Sequence, residues 1–379
     1  MKIALYILLG IIALIALIAA GFFVYVKFFE GPKEAVSELA PQGLFDEQVV
    51  GHITQYAKDL REDTHLSFAL VQEDETEFYG VRRSSDALHT VSNEQLVFEI
   101  GSITKVMTAY IIHHLALDGK LELDNSILEY LPISNNQLQD IRVKSLINHT
   151  SGLPGLPDNL DLGISNGNDP YKSYTKENLY DYLEGAIIKE EDRGKDEYSN
   201  LAYGILGAIA EEITGERIED LYSELLFKPL GMDNSGYHLD EVKQVARPGR
   251  MPFGAEAYYW NWDILGACGA IKSSADQMAI FTKHLLEQGA EAQMLQKRSF
   301  DLSEYSATGL GVFISTKKTN PTYWHNGATG GFNSSMIYSP KDTLGLIVLT
   351  NRSMTTGLDN KLDAMSFKIF RHLQTKLLK

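Results

Sequence analysis

The strongest constraint on this chain is where its strand-like and helix-like patterns fall. LSFALVQ (66–72) and TEFYGVR (76–82) alternate in hydrophobicity and flank the polar turn EDE. Period-two alternation across a short polar turn predicts a β-hairpin. Further strand-like stretches come near the other end: GLGVFIST (309–316), TYWHNG (322–327), SSMIYSP (334–340) and LGLIVLTN (344–351). Between about residues 103 and 230 the patterns are helical. Residues 46–61 suit an amphipathic helix, and so does the final segment, with Leu362, Met365, Ile369 and Leu373 on one helical face. A sheet assembled from both ends of a chain must bring those ends together, which leaves the middle as an insertion. The expected fold class is therefore α+β: an α/β sandwich of one antiparallel sheet with flanking helices, plus an inserted, mainly helical subdomain. The sheet part is expected at about 46–110 and 265–379, the helical part at about 111–264. The cleft between them is the natural place for a site.

The N-terminus follows different rules. From Ile3 to Val26 there are about 24 residues without a charge, enough to cross a ~30 Å hydrocarbon core. Lys2 and Lys27 flank the run, and Phe22, Phe23 and Tyr25 gather at one end, as interfacial aromatics do. The rival is a cleaved signal peptide, with AAG at 19–21 as the cleavage site. An h-region is usually about 7–15 residues, and this run continues past AAG. The expectation is an N-terminal transmembrane helix over 1–26, a tether over 27–45 and a globular domain over 46–379. The short basic N-terminal tail leads to the expectation of a single-pass membrane protein with its globular domain exported, on the periplasmic or extracellular side.

Composition excludes several classes of function. The net charge is −16 and no stretch gathers five or six like charges, so a nucleic-acid partner is not expected. Cys268 is the single cysteine, which rules out an intrachain disulfide. No cysteine cluster or HExxH run points to zinc. His113 and His114 are adjacent, hence about 100° apart on a helix, a poor metal clamp. No metal and no organic cofactor is expected.

Chemistry enters with FEIGSITKVMTAYIIHHLA (98–116), where Ser102 and Lys105 sit three apart at the start of an apolar helix. The chain holds two other S-x-x-K runs, SYTK (173–176) and STKK (315–318). Ser173 precedes the polar start of a helix, where a cap is the simpler role. Ser315 lies at a strand end, before a turn that leaves Lys318 in water. Only Ser102 follows a glycine and opens an apolar helix, with Lys105 on its own face. In isolation Ser102 could be a cap and Lys105 a snorkelling side chain. As a catalytic pair they have a mechanism: a serine hydroxyl becomes a good nucleophile once a base takes its proton, and a poorly solvated lysine can act as that base or tune another.

Two further stretches give the pair its context: Tyr198-Ser199-Asn200 in DEYSNLAYGILGAIAEEITG, and His325-Asn326-Gly327 in WHNGATGGFNSS. SITK, YSN and HNG, in that order, resemble the three motifs of the serine β-lactamase/DD-peptidase superfamily. The Tyr-x-Asn form resembles its class C branch. Linking stretches add to the resemblance: GKLELDNSILEYLP (119–132), LINHTSGLPG (146–155), FKPLGMDNSGY (227–237) and ACGAIKSSADQMAIF (267–281). It covers about residues 46 to 375.

The resemblance implies that Ser102 attacks a carbonyl and forms an acyl-enzyme. Lys105 lies beside it, Tyr198 shuttles its proton, and either of these is the base. Asn200 bonds Lys105 and the substrate amide. The N–H groups of Ser102 and Ala328 form the oxyanion hole, and Gly327 leaves room for substrate along its strand. The implied partner is a small-molecule or peptide substrate: a D-amino-acid peptide, a β-lactam or an ester. Oligomeric state is not encoded in any feature of the sequence.

One motif residue departs from the pattern. Many β-lactamases carry lysine where His325 stands, so a permanent cation is exchanged for a group that titrates near neutrality unless perturbed. This favours a DD-peptidase, D-aminopeptidase or esterase-like activity. A true β-lactamase is the alternative within the enzyme class, and a catalytically idle peptidoglycan-binding or scaffold relative is the alternative outside it. The intact set Ser102, Lys105, Tyr198 and Asn200 argues against idleness. His149 reads as structural, Arg247 and Arg250 as solvated loop residues. Tyr258, Tyr259, Trp260 and Trp262 read either as pocket lining or as core.

Overall fold

The computed structural model describes residues 34–161, 169–249, 256–316, 320–352 and 361–377. The expected transmembrane run therefore lies outside the described residues, as do Arg250 and Lys318. Among the described residues no helix is long and apolar enough to cross a membrane.

The hairpin forms as the alternation predicts. Strand β2 (His65–Gln72) pairs antiparallel with β3 (Glu75–Ser84). The C-terminal strands β10 (Thr322–Ala328), β11 (Asn333–Ser339) and β12 (Leu344–Thr350) form a meander. The two ends meet where β12 pairs with β2, Leu346 opposite Leu70 and Val348 opposite Phe68. All seven residues of β12 are buried, because helices cover both faces of the sheet at its centre. Phe68, Leu70, Leu346 and Val348 point to one core, Ala69, Val71, Ile347 and Leu349 to the other. That is why the strand reads as an unbroken apolar run.

On the first face lie α1 (Glu47–Ala57) and the C-terminal helix, which packs Leu362, Met365, Ile369 and Leu373 as the spacing predicts. Asp46 caps α1 by accepting from the N–H groups of Gln48 and Val49. On the second face lies α2 (Thr104–Leu117), whose seven apolar side chains from Val106 to Leu115 all join one core cluster, with His113 buried among them. Among the helices that follow, α5 (Asn200–Thr214) packs onto α2 and α3 (Val143–Ile147) onto α5, and these with α4 (Lys176–Gly185), α6 (218–230), α7 (Ala275–Leu286) and α8 (Ala290–Gln296) all feed one continuous apolar cluster. The helical part thus shares a core with the sheet.

Three expectations need correction. The sheet is mixed: ten strands run in the order β1-β4-β3-β2-β12-β11-β10-β9-β8-β7, with β7 (Phe300–Ser303) and β8 (Ser306–Thr308) at the far edge, while β5 (Val97–Glu99) and β6 (Lys272–Ser274) pair separately. Its edge strand β1 (Val36–Ser37) pairs parallel with β4 (Ala87–Val91), because β1 arrives from the preceding segment rather than through a hairpin. Within the stretch read as tether, then, Val36–Ser37 joins the sheet and Phe45 is fully buried. Finally, GLGVFIST is a strand only over β9 (Phe313–Ser315). Gly311 has φ +124°, and a Cβ there would lie 2.5 Å from Ala109 Cβ on α2. The chain bends at a glycine pressed against that helix, which apolar patterning does not reveal.

Candidate active site

Ser102 sits in a tight turn, Gly101–Ile103, that runs into α2. Gly101 has φ +52°, and a Cβ on it would meet Ala328 N at 2.6 Å, so this position needs glycine twice over. The turn is fixed from several sides. Ile100 N–H donates to Ile271 O (3.0 Å), Ser334 Oγ to Ile100 O (2.7 Å), and Ile271 N–H to Thr104 Oγ1 (3.2 Å). The nucleophile candidate is half-buried on a rigid base.

Lys105, one turn along, is completely buried. Its Nζ donates to Ser102 Oγ (3.1 Å), Asn200 Oδ1 (2.7 Å) and Cys268 O (2.8 Å). Three acceptors match the three donors of an ammonium. Burial of such a group is tolerable only with this satisfaction. Tyr198 and Asn200 reach the lysine together because Ser199 between them is extended (φ −128°, ψ 119°) and caps α5 through Oγ to Ala202 N. The Tyr198 ring lies 4.8 Å from Nζ, and its outer side is 39% exposed, open to a substrate.

The third motif closes the site on its sheet side. Gly327 is packed so that a Cβ would lie 2.0 Å from Ile100 O and 2.8 Å from Ser102 N. The backbones of 101–102 and 327–328 thereby touch, bringing the expected donors Ser102 N–H and Ala328 N–H into one crevice. His325 is 2% exposed. Its Nδ1 is 2.6 Å from Asn326 O, and since a carbonyl can only accept, Nδ1 carries the proton. Burial and the nearby Lys105 charge push its pKa down to about 3. Titration near neutrality, open from sequence alone, is therefore corrected: the ring is neutral at pH 7 because it is buried beside a lysine.

Sequence reading missed several supports. His149 is structural as expected, but it touches the site: its Nδ1 accepts Ser199 N–H (3.2 Å) and its ring lies 4.5 Å from that of Tyr198. Burial, then Lys105 and His325, hold it well below the usual histidine range. It has φ +64°, invisible in NHTSGL. Buried Glu99 accepts from Trp260 N–H (2.7 Å) and Thr329 Oγ (2.6 Å), joining the aromatic loop to the segment after Ala328. Asp363 accepts from Asn326 Nδ2 (2.5 Å). The aromatic run divides. Trp262 is buried and stacks on Tyr171 at 4.2 Å, whereas Tyr258 is 61% exposed. Tyr171 OH accepts from Asn200 Nδ2 (3.4 Å) and its ring meets Trp260 edge-on, so Tyr171 and Trp260 belong to the site's wall.

The other S-x-x-K runs are put to different uses. Thr175, not Ser173, caps α4, and Lys176 pairs with Glu211 and Glu212. Ser315 is an ordinary residue of β9, paired with Thr322. Arg247 is exposed, as a loop residue should be. Among the described residues no cluster of three or more His, Cys, Asp or Glu could hold a metal ion.

A mixed sheet with helices on both faces, and a Ser-Lys-Tyr-Asn cluster where sheet and helical part meet, define the serine β-lactamase/DD-peptidase class. The comparison with known families agrees: the chain belongs to the Beta-lactamase family, whose model matches residues 58–365. It is similar to PbpX of Bacillus subtilis, 27% identical over 272 residues covering 70% of this chain and 65% of that protein. It is also similar to the D-alanyl-D-alanine-carboxypeptidase/endopeptidase AmpH of Escherichia coli, 24% identical over 333 residues covering 76% and 85%. The first curated relatives are matched over only part of their length, 65% for PbpX and 52% for the Staphylococcus aureus protein Flp. In fold, the chain resembles a class C β-lactamase from Rhodobacter sphaeroides (TM-score 0.72, 18% identity, 87% of this chain and 99% of that one). It also resembles a β-lactamase/D-alanine carboxypeptidase from Yersinia pestis (TM-score 0.69, 22% identity, 88% and 98%).

Proposed function

We propose that this chain is a membrane-anchored serine hydrolase that cleaves an amide or ester through an acyl-enzyme on Ser102, acting as a DD-peptidase or related esterase rather than as an efficient β-lactamase. The observation that carries the reading is Lys105 Nζ, held 3.1 Å from Ser102 Oγ and 2.7 Å from Asn200 Oδ1 under the Tyr198 ring. Ser102 Oγ attacks the carbonyl carbon. With Lys105 held as an ammonium, the Oγ proton passes to Tyr198 in its phenolate form and from there to the leaving amine or alcohol. The oxyanion is met by Ser102 N–H and Ala328 N–H, each such donor being worth about 10²–10³ in rate. Water then repeats the sequence in reverse and frees Ser102. No step requires a metal or cofactor.

The preference against β-lactams rests on His325. A neutral imidazole there gives no positive charge to a substrate carboxylate or a phenolate at Tyr198. Acylation by penicillin uses groups that are all present, while deacylation also needs a strongly activated water. AmpH, among the relatives, bears a carboxypeptidase/endopeptidase name. Anchoring through Ile3–Val26, with the catalytic domain exported, completes the proposal.

The test compares fluorescent penicillin, nitrocefin, a D-alanyl-D-alanine peptide and a simple activated ester on the full chain. Penicillin should label Ser102 and remain bound, while peptide or ester turns over. Nitrocefin turnover at about 10²–10³ per second, within the usual enzyme range, would instead establish a true β-lactamase.

A further inference from the structure

The outer faces of α1 and the C-terminal helix (α9, Lys361–Leu377) enclose a groove of about 610 Å³ on the side of the sheet away from Ser102. Its lining includes His52 from α1 and Lys368, Arg371, His372, Thr375 and Lys376 from α9. In a chain of net charge −16, α9 carries Lys361, Lys368, Arg371 and Lys376 against one acid, Asp363. That acid is turned inward to Asn326. At the rim, Asp46 is already engaged by His372 (2.9 Å) and Lys376 (2.8 Å). Lys368 and Arg371 are exposed, and the Arg371 guanidinium lies over the Phe367 ring at 5.6 Å. The positive potential is felt within the groove: burial, then Lys368 and His372, hold His52 below its usual pKa.

The position of this groove relative to the N-terminal run gives it a partner. Ala35 N–H donates to Lys58 O (2.8 Å) at the C-terminal end of α1. Residues 27–33 number seven and span at most about 25 Å when fully extended. His52 is six residues back along α1, about 9 Å by helical rise. A chain anchored through Val26 therefore holds the groove within a few tens of ångströms of the headgroups. Exposed cations spread along the length of α9 suit a surface carrying many phosphates better than a single enclosed anion.

We propose that the α1/α9 groove docks on anionic phospholipid headgroups, setting the orientation of the catalytic domain on the membrane. This rests on the anchor reading above. Such contacts contribute through each cation near a negative surface and weaken with salt.

The test uses the full chain in nanodiscs of phosphatidylcholine alone or with about 30% phosphatidylglycerol. Thr375→Cys carries a fluorophore, Cys268 being buried, and a nitroxide-headgroup lipid serves as quencher. A label at Leu117→Cys, on the helix covering the opposite face of the sheet, is the control. Quenching at position 375 should rise at least about twofold with phosphatidylglycerol, fall back in high salt, and be lost in K368E/R371E. The control should not change. Equal quenching in both lipids, or an equal response to inorganic phosphate in neutral discs, would overturn the proposal. Failure of the anchor reading gives a different result: the chain would not remain with the discs at all.

Discussion

Gly327→Ala tests the geometry of the site more sharply than removal of any reactive group. The added Cβ would lie 2.0 Å from Ile100 O, 2.6 Å from Ser334 Oγ and 2.8 Å from Ser102 N. Ordinary non-bonded carbon contacts begin near about 3.5 Å, so β10 and the nucleophile turn must separate by roughly 1.5 Å at the tightest point. Two of the three obstructing atoms are backbone, and the turn they belong to is tied to Ile271 and Ser334. The strain cannot be relieved by a rotamer change. A displacement of about 1 Å costs on the order of 10² in rate, and loss of one oxyanion donor about 10²–10³. The expected fall in kcat/KM for an activated ester is therefore about 10²–10³, or roughly 3–4 kcal/mol of transition-state stabilisation. Overpacking costs only about 1–3 kcal/mol of stability, so the variant should fold. Thermal melting and the rate of fluorophosphonate labelling, measured with the ester kinetics, separate the two effects. Gly51→Ala is the control, because a Cβ there meets nothing within 4 Å, and it should leave activity intact. A folded Gly327→Ala enzyme within threefold of wild type would refute the oxyanion placement.

Three other outcomes are expected. Ser102→Ala should abolish fluorophosphonate labelling, whereas Ser173→Ala and Ser315→Ala should retain it; an adduct mapped to another serine would overturn the nucleophile assignment. Burial first, and Lys105 in two cases, lowers the pKa of His113 to about 4, of His325 to about 3 and of His149 well below 6.5. The unfolded chain then binds more protons than the folded one below pH 6.5, so these residues' contribution is complete above that pH and is lost as pH falls. From pH 7 to 5 His113 and His325 each lose about 2 kcal/mol and His149 changes in the same direction, and His113→Gln should flatten the decline in melting temperature; a melting temperature unchanged over that range would contradict it. Alkaline carbonate washing should leave the full chain in the membrane, and recovery of a soluble form beginning near Phe22 would show a cleaved leader instead.

The hairpin of β2 and β3, the strands β10 to β12 and the apolar face of α9 were legible in the sequence because their periodicity is local. The strands Ala87–Val91, Val97–Glu99 and Lys272–Ser274 were not. All three are short; Ala87–Val91 pairs with the neighbouring β3, while the other two stabilise each other from afar, Glu99 facing Lys272 across 173 residues of chain.

Sequence by itself determined the chemical cast. Ser102 and Lys105 share a helical face by their spacing of three, and an extended Ser199 aims Tyr198 and Asn200 the same way. Such relations hold within a few residues and need only backbone geometry. Tertiary structure alone decided how those groups behave. It put Lys105 among three acceptors from three separated segments, enclosed His325 beside that lysine so that it stays neutral, and set His149 behind Tyr198 in a backbone conformation no motif displays. It also pressed Gly327 against Ile100 and Ser102. Electrostatic environment and close approach depend on what surrounds a side chain in space, and that is fixed only when distant segments have packed.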